Sequence, residues 1–378
     1  MGMETNDSLD HSRRSTFYSL VLLITSIVVA LVIAEISFRC LLFSSLSFMT
    51  PLQRASLYAD DTTYELFQLE AVFKPTNNKP SDPMLGWVSN LITPISYRHA
   101  DDRSIGSRRP VLFYGDSFVQ CHISPQDCYQ GIMNRDGIFS SSHYLINFGV
   151  SGYGIDQTYI LYTQTVSRYD NPMVIIGILD MDLDRTILPC TFGVKPYFVL
   201  ENGNLQCRTD HIDTQLLNTE FLEKHPLRVW SYLGRLCIYS RTIPARFTTW
   251  IRSVEQRKSE AKPLNKAILS QMIADLRKRN LCFLFILFEW PSVMHEPPEW
   301  RISWLIDLLK SMGVDYLLAR DLFDGTGSPS FDHNRILAGG DGVHFNAEGN
   351  RLVSKHLLSW IQSQLGENSC LSIRATEK

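Results

Sequence analysis

The segments VLFYG (111–115), YLINFGV (144–150), PMVIIGILD (172–180), LCFLFILF (281–288) and VDYLLA (314–319) decide the fold of this chain of 378 residues. Each is a short apolar run of the kind that forms a strand buried on both faces of a sheet. Helical spacing of apolar residues predicts helices over 156–169, 264–280, 300–312 and 347–365. Strands that alternate with helices predict a parallel sheet covered on both faces, with ligands bound beyond the carboxyl ends of the strands.

The composition excludes several classes of protein. The chain carries 36 basic and 39 acidic residues, and a net charge of −3 argues against nucleic-acid binding, which normally needs a basic excess. With 44% apolar residues there is enough material for a large core, which excludes wholesale disorder. Eight cysteines are too few for a disulfide scaffold, and their spacing contains no zinc motif, so we expect neither a metal nor another cofactor.

An apolar segment lies close to the N-terminus. Residues 17–34 read FYSLVLLITSIVVALVIA and contain no charged side chain. As a helix this segment is roughly 27 Å long, close to the hydrocarbon thickness of a bilayer. Arg13 and Arg14 precede it, and the positive-inside tendency then places the N-terminus in the cytoplasm and the rest of the chain outside. The segment predicts a single-pass anchor over 17–38 in the cell (inner) membrane.

Other interpretations of this segment stay open. A cleaved signal peptide would use Val32-Ile33-Ala34 as its small-residue site, although the apolar region is longer than usual. Ser12-Arg13-Arg14 is similar to a twin-arginine signal, but Phe17 lies one position too late. A buried core helix is disfavoured because the segment is apolar on every face.

The remaining chain is predicted to form one α/β domain behind this anchor. Residues 1–16 are the expected cytoplasmic N-terminus, and residues 39–109, with scattered prolines, are expected to form a stalk and an irregular lead-in. The α/β domain is predicted over 110–366, with an insertion at about 186–262 where the alternation of strands and helices is lost. Residues 367–378 form a C-terminal tail.

Three loops at the predicted ligand edge carry chemistry. Gly115-Asp116-Ser117-Phe118 follows the first strand, and it places a serine hydroxyl and a backbone N–H at this edge. The loop NFGVSGYG (147–154) follows the second strand, and its glycines allow close backbone approach. In GGDGVHFN (339–346), Asp341 and His344 are three residues apart, so a carboxylate can lie beside one imidazole nitrogen while the other faces a serine.

Together these three loops resemble the SGNH (GDSL-type) hydrolase family, over about residues 110–365. The resemblance implies a three-layer α/β/α fold with a five-stranded parallel flavodoxin-like sheet. It also implies that Ser117 is the nucleophile, that His344 is the general base and later the acid, and that Asp341 orients His344. The oxyanion hole would use the backbone N–H groups of Ser117 and Gly152.

The sequence departs from the family at the third strand. The family's third block offers an asparagine side chain to the oxyanion, usually followed by aspartate. Here residues 179–185 read LDMDLDR, and if Asp182 matches that aspartate, the asparagine position holds Met181, which has no donor. Losing one such donor typically costs on the order of 3 kcal/mol in the barrier. An ionised Asp180 or Asp182 would also repel a developing oxyanion.

Several polar residues near these loops have two open interpretations, as substrate contacts or as structural groups: Asp116, Asn147, Asp182 and Arg185. For the last two, the structural alternative is an Asp–Arg ion pair. The pattern Asp182…Arg185, with Lys195-Pro196-Tyr197, resembles a membrane-anchored bacterial branch of the family.

Further candidates are weaker. His295 follows the fourth strand and is expected to be a loop residue, at best outside direct contact with the reacting groups. His122 is near Ser117 in sequence, but a turn of helix is expected to carry it away. Cys121 with Cys128, or Cys190 with Cys207, form disulfides if the domain is exported, and are free buried thiols otherwise. Trp290, Trp300 and Tyr197 form either a carbohydrate-stacking wall or part of the core.

The main functional hypothesis is a membrane-anchored serine esterase that acts on an acyl ester of a carbohydrate or lipid. One alternative is an O-acyltransferase of a cell-surface polysaccharide, which uses the same acyl-enzyme with a sugar hydroxyl as acceptor. Another is a non-catalytic glycan-binding or assembly protein, which the missing asparagine motivates. The membrane and the ester substrate are the expected partners, and nucleic acid is not.

Overall fold

The computed structural model describes residues 5–59, 64–224, 229–239, 254–289, 300–324 and 344–366. The chain divides into two compact units. The N-terminal unit comprises Met1–Lys74 and Pro226–Arg252, and the α/β unit comprises Pro75–His225 and Ser253–Lys378.

The strands are β1 (Arg109–Gly115), β2 (His143–Gly149), β3 (Met173–Leu179), β4 (Tyr197–Glu201), β5 (Asn204–Arg208), β6 (Cys282–Phe288) and β7 (Tyr316–Leu318). Five of them form a parallel sheet in the order β2-β1-β3-β6-β7, and β4 and β5 form a separate antiparallel hairpin. In the order of the chain this sheet is 2-1-3-4-5, the flavodoxin-like order. The predicted fold class is therefore confirmed.

The helices are α1 (Thr5–Leu42), α2 (Tyr64–Phe73), α3 (Ser117–Gln120), α4 (Tyr129–Arg135), α5 (Phe139–Ser142), α6 (Ile155–Thr165), α7 (Asp182–Arg185), α8 (Asn218–Lys224), α9 (Tyr232–Tyr239), α10 (Val254–Lys278), α11 (Trp300–Ser311), α12 (Ala319–Asp324) and α13 (Ala347–Gly366). Short 3₁₀ segments separate some of them.

Side chains that alternate along the strands divide the core into two layers, one on each face of the sheet. On one face Leu112 and Tyr114 of β1 pack with apolar residues of α6, α10 and α11. On the other face Val111 and Phe113 pack with residues of α3, α4 and α13. Because both faces are covered, the strands are apolar throughout, and this is why continuous apolar runs identified them.

The register of the sheet brings the functional loops together. Gly115 at the end of β1 pairs with Gly149 at the end of β2, so the loops that follow both strands begin at the same level. The strand β3 lies on the other side of β1. The chain segments after β1, β2 and β3 therefore meet at one edge, at the point where the strand order reverses.

The residues before β1 differ from the prediction. Residues 75–108, expected to be stalk or lead-in, belong to the α/β unit, and Ile92, Tyr97 and Ile105 are buried in its core. Their lack of helical or strand periodicity reflects an irregular backbone that packs on the unit. The predicted insertion at 186–262 is divided as well: its first part, with β4, β5 and α8, lies in the α/β unit, and residues 226–252 belong to the N-terminal unit.

The N-terminal unit contains the long helix α1 and a small apolar cluster around Tyr58 and Tyr232. Its segment Phe17–Leu42 has a mean hydropathy of 2.7 and is long and apolar enough to cross a membrane. Segments of this kind serve as membrane anchors or as signal sequences. Near the end of the helix, Glu35 accepts hydrogen bonds from Ser231 Oγ (2.7 Å) and Tyr232 N (2.8 Å), which fixes the start of α9 to α1.

Candidate active site

Ser117 lies immediately after β1, at the start of the short helix α3. The Asp116 carboxylate begins this helix by accepting a hydrogen bond from Phe118 N at 2.9 Å. The Ser117 hydroxyl donates to Asp116 Oδ2 at 3.3 Å, and the whole residue is only 8% exposed. The turn therefore presents the serine in one fixed place at the carboxyl end of the sheet.

The glycine-rich loop after β2 lies beside this turn. At Gly149 a side chain would place its Cβ 2.2 Å from Gln120 N, so only glycine lets the two loops approach so closely. Gly152 has φ of +80°, and a Cβ there would lie 2.3 Å from the ring of Phe192. Both the left-handed backbone and the lack of space require glycine at 152.

Asn147 is a structural residue of this loop. Its side-chain amide donates to Val119 O at 2.7 Å, and its side-chain oxygen accepts from Gly149 N at 2.8 Å. The residue thereby joins the end of β2 to helix α3. Of the two interpretations open for Asn147, these contacts favour the structural one.

His344 lies just before helix α13, and its ring is 5.3 Å from the ring of Phe118, the neighbour of Ser117. Asp341, the residue predicted to orient His344, lies outside the described residues. The proposed pairing of His344 with Asp341 therefore stays a prediction.

One cavity of about 700 Å³ contains both predicted chemical groups, since Ser117 and His344 line it together with Gly152. This volume is typical of sites for small organic ligands. Its other lining residues are Trp87, Val88, Ser89, Asn90, Gln120, His122, Val150, Ser151, Arg185 and Phe192. The sheet edge that the strand pattern predicted is thus the edge that carries the cavity.

Arg185 places a buried guanidinium in the wall of this cavity. Its Nη1 lies 3.1 Å from Asp116 Oδ2, 2.8 Å from Asp182 Oδ1 and 3.1 Å from Tyr153 O. The Ser117 hydroxyl and Arg185 Nη1 therefore contact the same oxygen of Asp116. The predicted Asp182–Arg185 ion pair exists. Arg185 also pairs with Asp116, whose carboxylate accepts the hydrogen bond from the Ser117 hydroxyl.

The acidic residues after β3 do not line the cavity. Asp182 is buried, and its second oxygen accepts from Leu179 N at 2.9 Å. Burial and, secondly, the neighbouring Asp116 raise the pKa of Asp182 well above its ordinary value, while the positive charge of Arg185 opposes this shift. Met181 packs against the apolar layer that contains Phe118. Because Arg185 pairs with both Asp182 and Asp116, its positive charge offsets the repulsion that these two carboxylates would exert on an oxyanion.

Lys195 is a fully buried cation that fixes helix α7 in place. Its ammonium contacts the Asp156 carboxylate and lies 3.1 Å from Arg185 O, at the end of α7. Burial lowers the pKa of Lys195 and raises that of Asp156 to about 6, while the attraction between the two charges opposes both shifts. The Lys195-Pro196-Tyr197 motif thus supports the residue that carries the cavity's positive charge.

The remaining residues proposed from the sequence are the aromatic residues, His295 and the two cysteine pairs, and the structure treats them differently. Trp300 and Tyr197 are not among the described residues that line the cavity, and His295 and Trp290 lie outside the described residues. Cys121 and Cys128 form a disulfide, whereas Cys190 and Cys207 are free. Among the described residues no group of three or more His, Cys, Asp or Glu side chains could hold a metal ion.

The prediction for His122 is wrong. Helix α3 ends at Gln120, and Cys121 takes a φ of +66°, so the chain turns back into the cavity, where His122 and His344 have ring centroids 4.4 Å apart. Trp87, Asn90 and Phe192 also line the cavity, and they were not predicted because they come from irregular segments. The sequence around Trp87 combines proline and glycine with several apolar residues. Such a mixture could have indicated a packed segment instead of a solvated stalk.

No family model matches this chain. No curated protein matches it either. It is similar to the solved structure of an acetyl xylan esterase, AlAXEase, at 17% identity and a TM-score of 0.38, over 67% of this chain and 99% of that one.

Two further solved structures are similar at the same level. Axe2, an acetylxylan esterase from Geobacillus stearothermophilus, has 11% identity and a TM-score of 0.38, over 68% of this chain and 94% of that one. A protein assigned to the G-D-S-L lipolytic family, from Desulfitobacterium hafniense DCB-2, has 9% identity and a TM-score of 0.36, over 66% and 98%.

Proposed function

We propose that the α/β unit is a serine esterase of the SGNH type, with Ser117 as nucleophile and His344 as general base. The observation that carries the proposal is the shared cavity of Ser117, Gly152 and His344 at the carboxyl edge of the sheet. A serine, a histidine and a left-handed glycine with its backbone N–H are the parts that acyl transfer needs.

The reaction follows from these roles. Ser117 Oγ attacks the ester carbonyl carbon while His344 accepts the hydroxyl proton, and the carbonyl oxygen becomes an oxyanion. The C–O bond to the alcohol then breaks, and His344 gives the proton to the leaving oxygen. Water, activated by His344, attacks the acyl-enzyme and releases the acid and free Ser117. Asp341 is proposed to orient His344.

The oxyanion is stabilised by the backbone N–H groups of Ser117 and Gly152, and Arg185 is proposed to supply the contribution that the family's asparagine would make. Its charge lies in the cavity wall and is tied to the serine turn through Asp116. A fixed positive charge near a developing negative charge lowers the barrier without reorganisation during the reaction.

The cavity is large enough to hold a substrate larger than a simple ester. About 700 Å³ exceeds the volume of an acetyl group, and Trp87, Asn90 and Phe192 offer aromatic faces and an amide for an additional moiety. Aromatic faces and amides are suited to sugar rings and their hydroxyls. We therefore propose O-acyl groups on an envelope glycan or lipid as the substrate class.

An O-acyltransferase is the second candidate. The observation that favours it is the room beside Ser117 and His344, which admits a sugar hydroxyl in place of water. Release of free acid from an acetylated polysaccharide, measured with and without an unacetylated glycan, separates the two. Acyl transfer to the added glycan at the expense of free acid identifies a transferase, and unchanged acid release identifies a hydrolase.

The test of the esterase is hydrolysis of p-nitrophenyl acetate by the full chain and by Ser117→Ala and His344→Ala. We expect both variants to lose at least about 1,000-fold in kcat. Ser141→Ala, an exposed serine in α5, is the matched control and should keep full activity. Equal rates for wild type and Ser117→Ala would support the non-catalytic alternative instead.

A further inference from the structure

His122 contacts His344 but has no role in the reaction proposed above. Its imidazole ring is 4.4 Å from that of His344, at an interplanar angle of 40°, and Phe118 contacts His344 at 5.3 Å. His122 and Phe118 both belong to residues 116–122, which we call the nucleophile segment. The segment that carries Ser117 therefore also supplies two ring contacts to the proposed general base.

A chain of hydrogen bonds holds the ring of His122. Gln120 Oε1 accepts from Ser151 N at 2.6 Å and from Ser151 Oγ at 2.7 Å, so the Ser151 hydroxyl proton points to Gln120. Ser151 Oγ lies 2.8 Å from His122 Nε2, and its hydroxyl proton is already used. His122 must then donate from Nε2, which fixes both the orientation and the tautomer of its ring.

The backbone around His122 is restrained from several sides. Asn147 binds Val119 O, and Gly149 allows the loop to approach Gln120 closely. Cys121 adopts a left-handed φ of +66°, which is unusual for a residue with a side chain, and the Cys121–Cys128 disulfide closes the following loop. Backbone strain of this kind persists where surrounding contacts over-determine it, often at functional sites.

We propose that His122 is a positioning residue for His344, holding the base's ring against the nucleophile segment in the orientation that faces Ser117. The proposal rests on the proposed esterase mechanism. A base must stay within a few tenths of an ångström of its productive geometry, and neighbouring side chains that are themselves locked achieve this. His122 is locked by Ser151 and by the disulfide-closed loop, and it transmits that order to His344.

The kinetic test uses His122→Ala, His122→Phe and Ser151→Ala in the full chain. Removing the ring should lower kcat by about 10-fold or more, with KM within about twofold, because geometry and not substrate binding is lost. His122→Phe keeps a ring against His344 and should recover most of that loss. Ser151→Ala, which releases the ring, should show a smaller loss of the same kind.

The matched control is His356→Ala on α13, a histidine that does not line the cavity, and it should keep wild-type kinetics. His122 is exposed, so His122→Ala should keep the wild-type Tm and remain folded. A rise in KM at unchanged kcat would make His122 a substrate contact and overturn the proposal. Equal losses for His122→Ala and His122→Phe would also overturn it, because the ring contact would then be irrelevant.

A second measurement does not depend on turnover. In ¹⁵N-histidine-labelled protein, the ring signals of His344 should shift and broaden in His122→Ala and stay unchanged in His356→Ala. Unchanged His344 signals in His122→Ala would contradict the positioning role, whatever the activity. If the wild type hydrolyses no ester, the proposed function fails by itself, and the ring signals still decide whether His122 positions His344.

Discussion

Arg185 lies where three elements of the site meet. It contacts Asp182 on its own helix and Asp116 in the serine turn, and its guanidinium carbon is 6.0 Å from the centre of the Phe192 ring. Buried ion pairs often contribute little net stability, because desolvation offsets much of their attraction. A role for this charge in the reaction gives a reason for its burial at the cavity wall.

We expect Arg185→Met to lower kcat on a model ester by about 100-fold, because an electrostatic contribution to the oxyanion is removed. Low millimolar guanidinium chloride, too dilute to denature, should restore part of the activity. Steady-state kinetics at a temperature where the variant remains folded would measure both effects.

The matched control is Arg301→Met, which breaks the buried Arg301–Asp184 pair away from the described cavity lining. It should lower Tm without lowering kcat. If Arg185→Met behaved in the same way, with loss of Tm alone and no response to guanidinium, Arg185 would be only structural.

The positions of Ser117, His344 and Gly152 could be predicted from the sequence because strand ends and glycine-rich loops leave a clear pattern. The position of His122 could not, because it depends on a single left-handed residue, Cys121, in a short turn. Such a conformation is set by tertiary contacts and by the disulfide, not by local propensity.

The loop of Cys121–Cys128 is the element that connects α3 to α4. Its disulfide should stabilise the fold by roughly 2 kcal/mol through loop closure and should also support the position of His122. We therefore expect Cys121→Ser/Cys128→Ser to lower both the free energy of unfolding and kcat. Denaturant unfolding and ester kinetics measure the two quantities.

Cys207→Ser is the control for this variant, since Cys207 is a free, exposed cysteine on β5. It should leave stability and kcat unchanged. A double variant that loses stability but keeps kcat below its melting range would exclude any effect of the loop on the site.

His99 connects the segment before β1 to the end of β2. Its Nδ1 accepts from Asp101 N at 3.1 Å, so its Nε2 donates to Asn147 O at 3.0 Å, and the ring is neutral. Burial lowers the pKa of His99 below its ordinary 6.5, and this outweighs the opposing attraction of Asp101.

A lowered pKa in the folded state means that the unfolded chain takes up the proton first on acidification. The contribution of His99 to stability is therefore fully present above about pH 6.5 and is lost as pH falls through its lower folded pKa. We expect the change in Tm from pH 7 to pH 5 to be less destabilising in His99→Gln than in the wild type, because the variant lacks this titrating group. An identical slope in His99→Gln would contradict this assignment.

At the level of elements, the strands and the helices that cover them could be predicted because both faces of a parallel sheet are buried. Residues 75–108 and the β4–β5 hairpin could not, since they fold through irregular contacts. The Tyr97 hydroxyl, for example, donates to the buried Asp82 at 3.0 Å, a contact between residues with no periodic relation.

For the molecule as a whole, we propose that α1 anchors the chain in the membrane with the α/β unit on the extracytoplasmic side. The apolar residues of Phe17–Leu42 are largely exposed, as a lipid-facing helix requires. In the same unit Trp230 is 95% exposed and Phe48 is 65% exposed, and aromatic residues are favoured at the membrane surface.

We expect the expressed chain to remain in the membrane pellet after alkaline carbonate extraction, with its N-terminus uncleaved. A variant with Ile27→Arg and Val28→Arg should be released, because two charges at the centre of the helix disfavour insertion. Release of the wild-type chain with a new N-terminus near residue 35 would show that the segment is a cleaved signal peptide.

The most direct test of the central claim is labelling of the full-length protein with a fluorophosphonate probe, followed by mass spectrometric mapping of the modified residue. Such probes react with a serine only when a neighbouring base activates it. We predict a single modification on Ser117 that is lost in His344→Ala. Absence of labelling in the folded wild type, or labelling at another serine, would contradict the account.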